Sequence, residues 1–260
     1  MSRSIRLFIL IAFLYPASSF SQYFTIDTIK GQSHINKDIS YIFPHLTSLT
    51  HQAIADMINE TLVGDMLQID SGQQYKSIFE RVWGDSDRTM PTLDEISYDE
   101  INNDKHFFCI GIYTDGCGAY CSNGTRYFTF DSRSGDEIDL DTLFSKAGLQ
   151  KVLDKVKATR AERISENVAR IKSGLIDKHT SEDDRSYDTM AVSIYADCQA
   201  SEVLTQYLNF SLDHKQFTIY TDDCLPHMIM DRDEVDYTFT FELKDIKKYL
   251  SGYGRSLLKL

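Results

Sequence analysis

After residue 21 the sequence has no apolar run approaching the roughly 20 residues that cross a bilayer as a helix, so no membrane-spanning segment is expected in the body of the chain. It also lacks the short motifs that mark common chemistries. The seven histidines, His34, His45, His51, His106, His179, His214 and His227, show no His-Glu-x-x-His spacing, and there is neither a Gly-x-Ser-x-Gly nucleophile elbow nor a glycine-rich phosphate loop. A hydrolase could therefore arise only from residues that the fold brings together. There is no internal repeat and no low-complexity tract. Positive charge is the scarcer sign, with 27 Lys and Arg against 39 Asp and Glu and a formal net charge of -12. That balance disfavours nucleic acid as a partner, and it would steer basic partners by long-range attraction. Its plainer meaning is solvated surface charge.

What is present begins with an export signal. Arg3 and Arg6 give a positive start, Leu7 to Leu14 a short apolar stretch, and Ser19-Phe20-Ser21 small residues at the cleavage position. The expectation is a signal peptide over residues 1–21, removed to leave an exported chain that is periplasmic or secreted. The alternative is an uncleaved amphipathic anchor. No cysteine lies near the cleavage point, which closes the lipid-anchor route. Loss of Arg3 and Arg6 carries the formal charge from -12 to -14 over a mature chain of about 239 residues. That length can bury a core without help from disulfides.

The hydropathy pattern predicts an α+β fold of antiparallel sheets with helices packed on one face. Two interlocked subdomains are expected, 22–131 and 132–260. Tyr23 to Phe43 reads as one or two strands ended by Pro44, and Ile54, Met57, Ile58, Leu62 and Met66 give the buried face of a helix. Tyr75 to Trp83 fits a second short helix. Phe107 to Tyr113 is a compact apolar run, and Arg126 to Asp131 alternates as a half-buried strand. Ser132 to Gly135 supplies a turn, Glu137 to Leu140 a short strand, and Asp141 a helix cap. A long charged helix follows from Leu143 with an apolar stripe through Leu149, Val152, Val156, Ile164 and Ile171. Thr180 to Tyr187 reads as a polar link, and Ala191 to Ala196 fits strand and helix equally. Tyr207 to Leu212 and Phe217 to Tyr220 form a hairpin, Val235 to Phe241 a strand with one wet face, and Leu243 to Leu250 a closing helix.

Five cysteines leave at least one unpaired in a monomer. Cys117 and Cys121 flank Gly118-Ala119-Tyr120 between two strand-like runs. Extended, their Cα atoms would lie about 13 Å apart, whereas a disulfide needs under about 7 Å. Bonding them requires the loop to fold back, which Gly116 and Gly118 permit. Cys198 and Cys224 can form a second bridge, leaving Cys109 as a buried thiol. The alternatives are zinc on Cys117, Cys121, Cys224 and His227, or a redox pair; an oxidising compartment favours disulfides. Asp231 to Asp236 is rich in hard oxygen ligands but lacks the EF-hand glycine and terminal glutamate, so a solvated loop is the preferred reading. No metal and no cofactor are expected. Asn59, Asn123 and Asn209 begin triplets that fit glycosylation acceptors.

Three blocks carry a family resemblance. Tyr41 to Pro44 with the Ile54 to Asn59 helix, Tyr127-Phe128-Thr129-Phe130-Asp131 with Gly135, Ile138-Asp139-Leu140 and Leu143-Phe144, and the C-terminal hairpin, strand and Asp245 to Leu250 helix resemble paired bacterial extracytoplasmic domains of unknown function. Those domains are similar to the lysozyme-binding extracytoplasmic part of RsiV-type anti-sigma factors and to modules attached to peptidoglycan deacetylases. This sequence departs from the signalling members in having no transmembrane helix or cytoplasmic segment, and no deacetylase domain is attached. The resemblance implies a non-catalytic envelope module that binds cell-wall material or a basic wall-directed protein such as lysozyme. Asp115 and Tyr120, beside and within the cysteine loop, are the expected contact residues. The rival expectations are a wall or glycan hydrolase with an acidic pair, and a purely structural envelope component.

Overall fold

The computed structural model describes residues 22–33, 37, 39–69, 72, 76–82, 93–117, 121–175, 181–201 and 208–260. The expected signal peptide and Tyr120 lie outside them. Five strands, β1 (Thr25–Gln32), β2 (Ser40–Thr47), β3 (Glu95–Asn103), β4 (Phe107–Cys117) and β5 (Cys121–Asp131), form one sheet in sequence order. All neighbours are antiparallel except β2 and β3, which run parallel for the short pairing of Ser40 with Glu95 and Tyr41 with Ile96. Helix α1 (Gln52–Leu67) buries Ala55, Ile58 and Leu62 against Tyr41, Phe43, Leu46, Phe108, Ile110, Ile112, Phe128 and Phe130.

The apolar run at the start of β4 has a structural cause. Side chains alternate across a strand, so Phe108, Ile110 and Ile112 enter the first core while Phe107 and Cys109 enter a second. That second core gathers a three-stranded sheet, β6 (Asn209–Leu212), β7 (Gln216–Tyr220) and β8 (Thr238–Glu242), with α2 (Leu140–Leu143), the first half of α3 (Lys146–Leu175), α5 (Leu243–Ile246) and α6 (Gly252–Leu257). A strand buried on both faces loses the alternation of a half-wet one. The far half of α3 packs Ile164 and Ile171 against Ala191 and Tyr195 of α4 (Glu182–Ala200), with Leu225 and Ile229 beneath. No helix among the described residues is long and apolar enough to cross a membrane.

Several sequence expectations need correction. Pro44 lies inside β2, paired with Thr28, rather than ending it. The missing N–H does no harm because β3 pairs with β2 only at Ser40 and Tyr41, leaving the Pro44 side without a strand neighbour. Two residues on, the same free side of Leu46 is met by buried Asn59, whose Oδ1 accepts from the Leu46 N–H and whose Nδ2 donates to the Leu46 carbonyl, each at 2.8 Å. The described residues 76–82 form turns, not the expected helix. The supposed link near 181–187 is the start of α4, capped by Ser181 Oγ accepting from the Asp184 N–H at 3.1 Å. Asp139, not Asp141, caps α2 by accepting from the Thr142 N–H at 2.6 Å. Glu137 makes only an isolated bridge to Phe130 instead of a strand.

Candidate functional site

The β4–β5 hairpin runs register partners from Phe107 and Asp131 out to Cys117 and Cys121, and the disulfide closes its end. Their Cα atoms are 3.9 Å apart, so the approach that bonding required is met where Cys117 and Cys121 pair across the two strands. Cys121, Ser122, Asn123 and Gly124 are all exposed. Beside them Asp115 pairs in register with Glu95, and the Asp94 N–H donates to the Asp115 carbonyl at 2.7 Å, so three acidic residues meet at this end of the sheet. None of the three is in an ion pair among the described residues. Their field is felt locally. The Tyr113 phenol is raised, first by partial desolvation and then by Asp115 and Glu95.

Strand β5 is an edge of its sheet, and half of that edge is covered. Asn209, at the start of β6, accepts from the Tyr127 N–H at 2.8 Å and donates to the Thr125 carbonyl at 2.6 Å. This two-point contact ties the two sheets together, and the Tyr127 ring stacks on Tyr220 at 4.4 Å. Farther out, toward the disulfide, no protein group among the described residues takes the place of Asn209, and the Cys121–Gly124 stretch faces water.

Below the covered stretch lies a groove of about 780 Å³ lined by Arg126, Glu137, Asp139, Asp141, Asn209 and Phe210 among others. Arg126 is paired with Asp65 and lies over the Phe128 ring at 4.6 Å. The Glu137 carboxyl is raised by desolvation against the groove wall, a push that Asp65 and Asp139 add to and Arg126 opposes. Sequence reasoning missed this group. Glu137 stood in an expected strand, and nothing local placed it in one groove with Arg126 and Asn209.

The cysteine alternatives can now be judged from the bonding. Cys198 is bonded to Cys224, Cys117 to Cys121, and Cys109 is a buried free thiol accepting from Thr129 Oγ1. The proposed zinc set therefore has no thiolate left to offer, and no metal-holding cluster of His, Cys, Asp or Glu occurs among the described residues. The acid-rich loop is likewise engaged within the protein. Asp233 accepts from Tyr195 and Tyr237 at 2.8 and 2.9 Å, Glu234 pairs with Arg170, and Asp236 pairs with Arg163. Asn59 and Asn209 have their side-chain amides bonded to backbone, while Asn123 is exposed.

Neither a protein-family model nor a curated protein matches the chain. Its fold has a solved counterpart. A DUF3298-family member from Bacteroides fragilis aligns at a TM-score of 0.53 and 11% identity, over 91% of this chain and 96% of that one. A DUF3298-family protein from Pseudomonas aeruginosa aligns at a TM-score of 0.47 and 9% identity, over 89% and 95% of the two chains. The first likeness supports a shared fold with a domain of unknown function. The names of both proteins say nothing of anti-sigma factors or deacetylases.

The two disulfides differ in what they hold. Cys117–Cys121 closes a ring with a sequence separation of 4, whereas Cys198–Cys224 spans 26 and ties α4 to the loop before β8. By chain entropy the first contributes about 2 kcal/mol and the second about 3.5 kcal/mol. The Cys198→Ala/Cys224→Ala double variant is expected to melt at lower temperature than Cys117→Ala/Cys121→Ala. Thermal denaturation of both checks the order, and equal melting points would show that native strain cancels the entropic difference.

Proposed function

We propose that this chain is an exported, non-catalytic binding module of the bacterial envelope, and that it captures a basic wall-directed protein, with lysozyme as the model partner, through the stapled end of the β4–β5 hairpin. One observation carries the reading. Asp94, Glu95 and Asp115, which have no cationic partner among the described residues, gather at the disulfide-closed end of the sheet, where Asp115 pairs in register with exposed Asn123. An acidic hairpin end whose charge is not neutralised by the described residues meets the requirement for steering a cationic protein. Export accords with the leader at residues 1–21 and with two disulfides. Tyr120, between the two cysteines, is the aromatic contact of this proposal.

The mature chain should bind lysozyme in calorimetry at low salt, more weakly at physiological ionic strength. The triple change Asp94→Asn, Glu95→Gln, Asp115→Asn should weaken capture at least tenfold, and Tyr120→Ala should weaken it without altering the salt slope. Absence of binding at low salt would remove the partner class, and full binding by the triple variant would remove the surface. The groove gives the rival hydrolase its own observation, a Glu137 with a raised pKa that lines the same space of about 780 Å³ as Asp139 and Asp141. Release of reducing ends from peptidoglycan, abolished by Glu137→Gln, would replace the binding reading with that one.

A further inference from the structure

A second charged surface lies on the C-terminal elements, and its sign is opposite to that of the protein. Lys155 of α3, Lys244 of α5, Lys247 and Lys248 of the 3₁₀ turn that follows, and Arg255 of α6 line a cleft of about 750 Å³, with Asp245 its single carboxylate. All five cations are exposed. In a chain with 39 acidic residues to 27 basic ones, five cations facing one acid is the reverse of the composition.

Five arginines elsewhere are held in ion pairs, whereas no lysine among the described residues is. Arg126 pairs with Asp65, Arg133 with Asp131, Arg163 with Asp236, Arg170 with Glu234 and Arg232 with Asp184 and Asp188. None of the five cleft cations is in an ion pair among the described residues. Their placement is nonetheless fixed. The Tyr249 carbonyl accepts from the Ser145 N–H at 3.0 Å and the Ser145 hydroxyl at 3.1 Å, which pins the turn carrying Lys247 and Lys248 to the start of α3. The ammonium groups of Lys155 and Lys248 lie 5.5 and 5.0 Å from the centre of the Tyr249 ring, so one aromatic ring holds two cations from separate elements near it. Arg255 Nη1 donates to the Leu250 carbonyl at 2.9 Å, leaving its other donors for a ligand.

The repulsion among these exposed cations is modest in water, and an entering anion would relieve it. The donor set says what that is. Four lysines are compact point charges and the one arginine is partly engaged, a set suited to charge spread over several oxyanions rather than to one planar carboxylate. We infer that the Lys155–Lys244–Lys247–Lys248–Arg255 cleft binds a small soluble anion carrying closely spaced phosphates, and that the protein is bipolar, with an acidic hairpin tip and a separate oligophosphate site.

Tripolyphosphate titrated into the mature chain should bind in calorimetry at low salt with an affinity that falls as sodium chloride rises. The Lys244→Gln/Lys247→Gln/Lys248→Gln variant should bind at least tenfold more weakly at an unchanged melting temperature, while Asp115→Asn at the hairpin tip should leave the affinity as it was. No heat of binding at low salt, or undiminished affinity in the triple variant, would overturn the site. Co-sedimentation with phosphatidylglycerol vesicles, competed by tripolyphosphate, would overturn the soluble source in favour of a lipid headgroup.

Discussion

Gly148→Ala is expected to destabilise the protein by about 3 kcal/mol, although helix propensity alone favours alanine by about 1 kcal/mol. Gly148 is buried in the first turn of α3, and a Cβ there would stand 1.9 Å from the Tyr249 carbonyl oxygen and 2.7 Å from its carbon. The obstacle is backbone, so no rotamer change relieves it. That carbonyl also accepts both the N–H and the hydroxyl of Ser145, so the turn cannot back away without losing two hydrogen bonds. A matching close approach across the same junction, where a Cβ on Gly254 would meet the Leu143 carbonyl at 2.2 Å, removes the space on the other side. For a chain of this size the melting temperature should drop by roughly 6–12 °C. Gly174, on the same helix, has nothing within 4 Å of the added carbon. Gly174→Ala should therefore raise stability by up to about 1 kcal/mol. Two glycines of one helix responding with opposite signs in thermal denaturation is the check, and a stabilised Gly148→Ala would mean that the junction is looser than these distances allow.

How far the sequence could be read follows from which physical signals are local. The α+β class and the two hairpins were legible because alternation and turn residues act within a few positions. Phe107 to Tyr113 was legible as a strand but not as a strand shared by two cores, since a continuous apolar run does not say what covers each face. Helix α4 was hidden for the opposite reason. Its stripe against α3 is narrow, with Ala191 and Tyr195 fully buried, and its first turn is all acidic, which reads as a solvated link until the helix end at Ser181 makes acids favourable there. The cysteine loop was legible as a constrained turn from glycine placement and compartment alone. The basic cleft was not, because Lys155 and Arg255 are 100 positions apart and each looks like an ordinary solvated charge until α3 and the C-terminal turns meet.

Asn59 illustrates the same limit and carries the second large effect. In the sequence it began a glycosylation triplet, yet its side chain is buried at 8% exposure and closes the free side of β2 at both Leu46 backbone groups. Leucine has nearly the same shape, so Asn59→Leu leaves no cavity to blame. What it leaves is a buried N–H and a buried carbonyl with no partner, each worth about 1–3 kcal/mol. A net loss of about 2–4 kcal/mol is expected, or roughly 5–15 °C in melting temperature. Asn59→Asp separates polarity from hydrogen bonding. The ionised carboxylate can still accept from the Leu46 N–H, but it faces the Leu46 carbonyl with no proton to donate, and burial adds its own cost to the charge. Its folded-state pKa should lie above the ordinary carboxylate value, so stability relative to wild type is best below that ordinary value and is lost as pH rises through the raised one. Melting curves of the two variants from pH 4 to 8 make the comparison: the aspartate variant should approach wild type at the acid end, while the leucine variant's deficit stays flat. A flat deficit in both would show that Asn59 acts through packing, and that the free edge of β2 is closed by something other than this amide.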